Sequence, residues 1–301
     1  MSDSNQSSGQ SLNLRHIIGA LLLALTALCM GACSATRLGY QNAPELGYWW
    51  LDSYFDFNNA QSLKLREDLA SLQAWHRETE LPIYVNMLSG LQKAALLDTT
   101  PEQLCRLYGE VRPRLQAILD RMEPTVSTLA PTLTSVQLDH LAQQFEKRNR
   151  KWREEWLDVT ADQRENRRIR QMTERVENFY GRLGEPQIAV LRAGLAASPM
   201  DASLGHRESR RRQQDILQTL RPLPTASQGA ASIASTLRGL LERSLDSPDP
   251  LYRNYLEKLT QAHCRTFAAL HNSSTPAQRL RLLETLKDYQ DDARALLPVK
   301  R

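Results

Sequence analysis

The chain has 301 residues, of which 38 are Lys or Arg and 34 are Asp or Glu, for a formal net charge of +4. So small an excess over so many charged residues does not indicate a nucleic acid partner, and we predict none. Hydrophobic residues make up 41% of the chain, which allows one large or two modest domains with buried cores.

The chain starts with the pattern of a secretory signal peptide, which we assign to residues 1–32. Arg15 precedes an apolar run from Ile17 to Leu28, and small residues follow. This run is shorter than the roughly 20 apolar residues that a helix needs to cross a bilayer. An ordinary secretory signal with an incidental cysteine and an uncleaved anchor are the alternatives.

The segment Met30-Gly31-Ala32-Cys33 resembles the bacterial lipobox, with Met30 in place of the usual Leu. The resemblance implies that Cys33 is lipidated and becomes the first residue of a lipoprotein. Acyl chains contribute about 0.8 kcal/mol per buried CH₂, so they would anchor the chain without a transmembrane helix. By the same resemblance, Ser34 indicates the outer membrane, with the body facing the periplasm. We predict a lipidated tether over residues 33–47.

Six aromatic residues lie within residues 48–57. Such a segment is typical of a membrane-interface or ligand-stacking patch, and equally of a first helix whose rings pack into the core. We favour the core, because Asp52 and Asp56 would sit poorly against anionic headgroups.

The remaining chain shows helical spacing of its apolar residues almost throughout, and no run with strand-like alternation. We therefore predict an all-α fold, an elongated bundle of about nine to ten helices without a sheet. Pro82 should begin a second helix and Pro113 should bend a third. Pro and Gly residues cluster between 198 and 230, which suggests a helical bundle over 48–200 and a helical sub-bundle over 201–301 packed on the first.

Several predicted helices begin with one motif, in which a Thr N-cap is followed three residues later by Gln. This is the capping box, whose two side chains satisfy the free backbone N–H groups of the first turn. The copies start at Thr100, Thr134, Thr160, Thr225 and Thr275, with a variant at Gly184.

Two cysteines remain after the signal peptide once Cys33 is acylated. In an oxidising compartment they suggest a disulfide between Cys105 and Cys264. Such a bridge would join the early helices to the late ones. Two unpaired buried cysteines are the alternative.

The helices around residues 146–170 carry many basic side chains interleaved with acidic ones. They could form a binding surface for an anionic polymer, a lipid headgroup or an acidic client. They could equally be two solvated helices with i, i+4 ion pairs, the interpretation we favour, with Trp152 and Trp156 facing inward. The same alternatives apply to Arg207 and Arg210–Arg212. The candidate surface consists of Lys147, Arg150, Lys151, Arg164, Arg167 and Arg168.

We identify no catalytic residue, metal site or cofactor motif in the chain. His76 and Glu80 share a helix face, but no second cluster would complete a set of metal ligands. Gly-rich phosphate loops and the Gly-x-Ser-x-Gly elbow do not occur. We therefore predict a protein that is not an enzyme and uses no cofactor.

The Leu133-Thr134-x-x-Gln137 window resembles the motif of the Spy/CpxP-type periplasmic chaperones, which hold unfolded clients on helix surfaces. As a whole, the chain resembles an uncharacterised family of helical proteobacterial lipoproteins. That resemblance rests on the lipobox, on residues 39–42 and 49–52, and on the segment 147–157 with its paired tryptophans.

Taken together, these patterns predict a lipoprotein on the periplasmic side of the outer membrane, with no specific role established. We expect its partners to be the membrane, through the anchor, and another envelope component or a partly unfolded client. An enzyme acting on an envelope polymer, with an active site assembled from dispersed residues, is the alternative.

Overall fold

The computed structural model describes the backbone of residues 31–223 and 229–298, with side chains from residue 35 onward. These residues are all-helical and contain no strand, which confirms the predicted class. Three predicted features lie outside the described part of the chain. They are residues 1–30 of the signal peptide, the Cys33 side chain and the capping box at Thr225.

Counted as continuous helices, the described residues form eleven, so the predicted number of nine to ten was wrong. The difference includes α1, which occupies residues that we expected to be an extended tether. The helices are α1 (Gly31–Gln41), α2 (Ala43–Phe55), α3 (Asn59–Trp75 and Leu81–Ala94), α4 (Pro101–Gly109 and Val111–Leu129), α5 (Ser135–Trp152), α6 (Ala161–Tyr180), α7 (Glu185–Ala196), α8 (Ala202–Leu220), α9 (Ala230–Leu245), α10 (Pro250–Asn272) and α11 (Pro276–Ala295).

Pro82 does not separate two helices as predicted, because α3 passes through it. A π-helical turn, His76–Glu80, immediately precedes the proline. Proline has no N–H to donate to the carbonyl four residues earlier, and its ring collides with that carbonyl in a regular helix. The wider π turn lets the helix continue without that hydrogen bond.

Pro113 interrupts α4 for a similar reason. Glu110 is the single turn residue between the halves of this helix. The nitrogen of Pro113 cannot donate to the carbonyl of Gly109, so the regular pattern fails for one residue and then resumes. The helix ends in the 3₁₀ turn Ala130–Thr132.

The predicted capping boxes at Thr100, Thr134, Thr160 and Thr275 are all present. At the variant, only the half made by Gln187 forms, because Gly184 has no side chain and donates its backbone N–H to Gln187. The structure adds one that we had not predicted, in which Asn58 and Gln61 cap α3. Each box fixes where a helix begins. The five-residue resemblance to the chaperone motif is thus explained locally by helix capping.

The helices pack in two groups that share α3 and α4. One group consists of the first half of α3, the second half of α4, and the helices α2, α5, α8 and α9. It packs around Leu141 and Leu237, which are fully buried. The other halves pack with α6, α7, α10 and α11 around Leu191 and Leu270. The predicted division at residue 200 stays a prediction, but each group contains helices from both sides of it.

The predicted disulfide is confirmed between Cys105 on α4 and Cys264 on α10, whose Cα atoms lie 5.6 Å apart. Cys264 is buried, and the bridge spans 159 residues of sequence. It therefore joins an early helix to a late one, as predicted.

The segment predicted to be a tether lies on the body of the protein. Arg37 on α1 forms an ion pair with Asp292 on α11 at 2.8 Å, and the Asp292 side chain is only 6% exposed. The Tyr40 hydroxyl lies 2.7 Å from His76 Nδ1 on α3. These contacts fix the direction in which the chain leaves the body toward its N-terminus.

Candidate binding cleft

An open cleft lies between the end of α5, the helices α6, α7 and α10, and the start of α8. It consists of two adjoining cavities of about 780 and 330 Å³. Both are lined by Arg168, Leu195, Met200 and Asp201. These volumes fall in the range of sites for small molecules or short peptide segments. We call this feature the Arg168 cleft.

Arg168 is half-buried in the wall between the two cavities. No hydrogen bond or ion pair joins its guanidinium to another residue in the part of the chain that the structure describes. Burial lowers the pKa of Arg168 from its usual range, and the nearby Tyr255 and Glu165 only partly oppose that shift. A partly desolvated cation without a partner is costly, so this position favours an anionic ligand.

The groups that face Arg168 form their hydrogen bonds elsewhere in the part of the chain that the structure describes. The Asp201 carboxylate accepts hydrogen bonds from the backbone N–H groups of Ser203 and Leu204, which caps α8. Tyr255 accepts the N–H of Asp201 at 3.1 Å. Burial lowers the pKa of His263, and the positive charge of Arg168 adds to that shift, so a neutral imidazole is favoured.

The smaller cavity has largely apolar and aromatic walls, whereas polar and apolar surface are about equal in the larger one. Trp156 lines the larger cavity, whereas Trp152 and Met172 line the smaller one. The two tryptophan rings lie 5.8 Å apart, and Trp152 donates its ring N–H to the carbonyl of Ala202 at 3.2 Å. Both tryptophans are half-buried and hold the end of α5 against α8.

The six residues of the predicted basic surface have different surroundings, and their role in binding stays a prediction. Arg164 donates to the carbonyls of Trp156, Leu157 and Val159, in and after the π-helical turn Arg153–Leu157 that follows α5. Arg167 and Lys151 both lie 3.9 Å from Glu155. Lys147 and Arg150 are exposed on α5. Only Arg168 lines both cavities while remaining unpaired among the described residues.

The second basic cluster is largely an ion-pair network. Arg211 and Arg212 both contact Glu208, whose side chain is only 3% exposed. Asp215 joins Arg211 to Arg243 on α9. These contacts connect α8 to α9, so this part of the cluster stabilises the fold.

His76, which we considered as a metal ligand in the sequence, is bonded to Tyr40, and His271 is bonded on both ring nitrogens. His271 is buried, with Nδ1 2.8 Å from the Tyr180 hydroxyl and Nε2 2.7 Å from the Leu97 carbonyl. Because that carbonyl can only accept, Nε2 carries the proton and Nδ1 accepts from Tyr180. Burial raises the pKa of Tyr180 to about 12, so it stays a donor. The described residues contain no cluster of His, Cys, Asp or Glu arranged to hold a metal ion.

The aromatic segment 48–57 is divided between core and surface. Tyr48 is buried, and Tyr54, Phe55 and Phe57 pack against the core. Trp49 and Trp50 are 61% and 58% exposed. The core interpretation thus holds for most of the segment, and the two tryptophans depart from it.

Sequence reasoning missed several residues of the cleft. Met200 and Asp201 fall in the stretch that we took as a domain boundary, and Tyr255 and His263 lie on α10, far away in sequence. Arg164 and Arg168 carried a signal as two of many basic residues, and Trp152 and Trp156 as a pair of tryptophans. The lack of a partner for Arg168 depends on which acidic groups the fold brings near it.

Fold and cleft together define an all-helical, disulfide-bonded protein with an open cleft lined by an arginine and aromatic side chains. Residues 53–249 match the model of a family of unknown function, DUF6279, and the chain belongs to that family. No curated protein and no solved structure matches the chain. Among the described helices, none has the length and apolar character needed to cross a bilayer.

Proposed function

We propose that this protein is a lipid-anchored binding protein of the bacterial outer membrane, facing the periplasm. In this proposal it holds its partner without transforming it, and it needs no cofactor. The anchor is Cys33, and its lipobox sequence supports it. The cleft is the part of the folded body that would receive the partner.

The observation that carries the binding role is the unpaired, half-buried Arg168 between two cavities, one with mixed polar and apolar walls and one with largely apolar walls. A partner that fits would place a carboxylate on the guanidinium and apolar side chains against Trp156, Met200 and Leu195. A charge-assisted hydrogen bond in such a place contributes about 1.5–3 kcal/mol. We therefore propose an acidic, partly apolar peptide segment of another envelope protein as the ligand, including such a segment in an unfolded client.

The binding role is tested with a fluorescent peptide of alternating Glu and Leu, by anisotropy on the purified protein. We expect Arg168→Gln to weaken binding by about tenfold, which corresponds to roughly 1.4 kcal/mol. Arg170→Gln, at an exposed arginine of the same helix, is the matched control and should bind as the wild type does. Equal binding by both variants would reject the cleft, and a chemically altered peptide would favour an enzyme.

The anchor is tested separately by fractionating cells. Cys33→Ser should block acylation, so the chain should leave the outer-membrane fraction. Mass spectrometry of the mature N-terminus should find acyl chains on Cys33. An unmodified Cys33 in a chain that stays in the outer membrane after an alkaline wash would overturn the lipoprotein proposal without affecting the cleft.

A further inference from the structure

The exposed face of α1 and α2 is rich in apolar side chains. Between residues 35 and 53, the charged side chains of Arg37 and Glu45 are 43% and 46% exposed, and both are held in ion pairs. Large apolar side chains dominate this face. Leu38 is 60% exposed, Leu46 51%, Trp49 61% and Trp50 58%.

Arg37, Glu45 and Asp52, in the same stretch, form ion pairs or hydrogen bonds within the protein. Arg37 pairs with Asp292, and Glu45 forms an ion pair with Arg66. Asp52 Oδ1 accepts the backbone N–H of Phe57 at 2.9 Å, in the turn that ends α2. Our sequence argument against a membrane interface rested on Asp52 and Asp56. Glu45 and Asp52 lie one turn from Trp49 on α2, and both are bonded within the protein. Asp56 is exposed at the end of α2.

The face is held in a fixed position by the body. On α2, Tyr48 is buried in the core and Leu51 packs against it. Residues 46, 49, 50 and 53 follow the i, i+3, i+4, i+7 pattern, so they lie on one side of the helix. Leu46, Trp49 and Trp50 therefore form an exposed strip on the side of α2 away from the core.

In the proposed lipoprotein the anchor is Cys33, which lies in the first turn of α1. From Cys33 to Gln41 the helix is about 14 Å long. The anchor thus brings the strip close to the membrane. Tryptophan is enriched where a protein meets the bilayer interface, and ion pairing of the neighbouring charges reduces the cost of placing them there.

We propose that this face, made of Leu38, Leu46, Trp49 and Trp50, docks on the lipid bilayer and lays α1 and α2 along its surface. The proposal rests on the anchor of the proposed function and adds an orientation to it. The docked face fixes which side of the helical body meets the membrane, and it leaves the Arg168 cleft on other helices.

The test uses the full mature protein reconstituted in vesicles of phosphatidylethanolamine and phosphatidylglycerol that contain brominated acyl chains. Bromine quenches tryptophan only at close range. We expect strong quenching in the wild type and loss of most of it in the variant with Trp49→Ala and Trp50→Ala. Flotation with the vesicles, which reports the anchor, should be the same for both.

Two controls make the result specific. Val136→Ala and Leu251→Ala shorten side chains that are 74% and 69% exposed on other helices, and both should leave the quenching unchanged. Circular dichroism should show the helix content of the wild type in every variant. Loss of quenching in the controls would assign the effect to general destabilisation and overturn the proposal.

The outcomes separate docking from anchoring. A chain that floats but is not quenched overturns the docking alone, and one that neither floats nor is quenched overturns both. Quenching of a Cys33→Ser chain by added vesicles would support docking independently of the lipid. A Trp49→Cys variant that crosslinks to a second copy on vesicles, with no quenching, would assign the face to self-association and overturn the proposal.

Discussion

The side chain of Gln137 donates a hydrogen bond to the side chain of Gln61 at 2.8 Å, joining the first turns of α5 and α3. Both glutamines are capping-box residues, so each Oε1 already accepts the N–H of its own N-cap residue. The amide nitrogens point away from the boxes and need acceptors, because both side chains are buried. Two helix starts are thereby tied together through their caps.

Loss of this pairing should cost more than loss of a cap alone. Gln137→Ala removes the hydrogen bond from the N–H of Thr134, the contact with Gln61 and a bond to the carbonyl of Asp56, while the Thr134 cap remains. We expect a loss of about 2–3 kcal/mol, because one such hydrogen bond is worth about 0.5–1.5 kcal/mol and unsatisfied buried groups add to the loss. Gln163→Ala, at an exposed box, should cost about 1 kcal/mol. Urea unfolding measures both, and equal losses would contradict the argument.

Gly194 is the position where α7 approaches α10 most tightly. A Cβ there would lie 2.3 Å from Thr266 Oγ1, on a side chain that is itself buried. We expect Gly194→Ala to destabilise the protein by about 1–3 kcal/mol, since neighbouring atoms must shift.

Gly90→Ala is the matched control, because nothing lies within 4 Å of its Cβ position on α3. It should be neutral or stabilise the helix by up to about 1 kcal/mol. The thermal unfolding midpoints of the two variants test this difference in stability. A stable Gly194→Ala protein would show that the two helices can separate at little cost.

The carboxylate of Glu208 should make the protein sensitive to acid. Burial opposes ionisation, but hydrogen bonds from Arg211, Arg212 and Ser247 outweigh it and lower the pKa of Glu208. A hydrogen bond from Arg243 likewise lowers the pKa of Asp215. Folded-state pKa values below the unfolded ones stabilise the fold above the unfolded pKa, about 4, and that stability is lost as the pH falls through the folded values.

Glu208→Gln should therefore reduce the fall in unfolding free energy between about pH 6 and pH 3, since one titrating group is gone. Glu174→Gln, at an exposed glutamate of α6, controls for the removal of one carboxylate. Urea titrations at a series of pH values give the slopes. A Glu208→Gln slope equal to that of the wild type would mean that other groups cause the acid sensitivity.

The disulfide should contribute strongly, because it closes a long loop. The chain-entropy model gives up to about 5 kcal/mol for a loop of this length, and native strain reduces the effect. Replacing Cys105 and Cys264 together by Ala should lower the urea midpoint by a matching amount. Reduction of the wild type should have the same effect, and a midpoint that does not move in either case would show that the bridge does not constrain the unfolded chain.

The sequence by itself determined the features that depend on neighbouring residues. Helical periodicity gave the class, and Thr-x-x-Gln predicted where four of the described helices begin, because a capping box closes within one turn. The two cysteines left after Cys33 predicted their own pairing. One prediction from local pattern was wrong. Pro82 was predicted to begin a helix, but α3 continues through it after a π-helical turn.

Only the tertiary structure decided which polar groups find partners. Arg168 resembles its neighbours Arg164 and Arg167 in the sequence, yet those two are bonded to the end of α5 and Arg168 is not. Likewise Trp49 is exposed beside the buried Tyr48. Such differences come from contacts between distant segments, and they depend on how helices meet and not on any spacing within one helix.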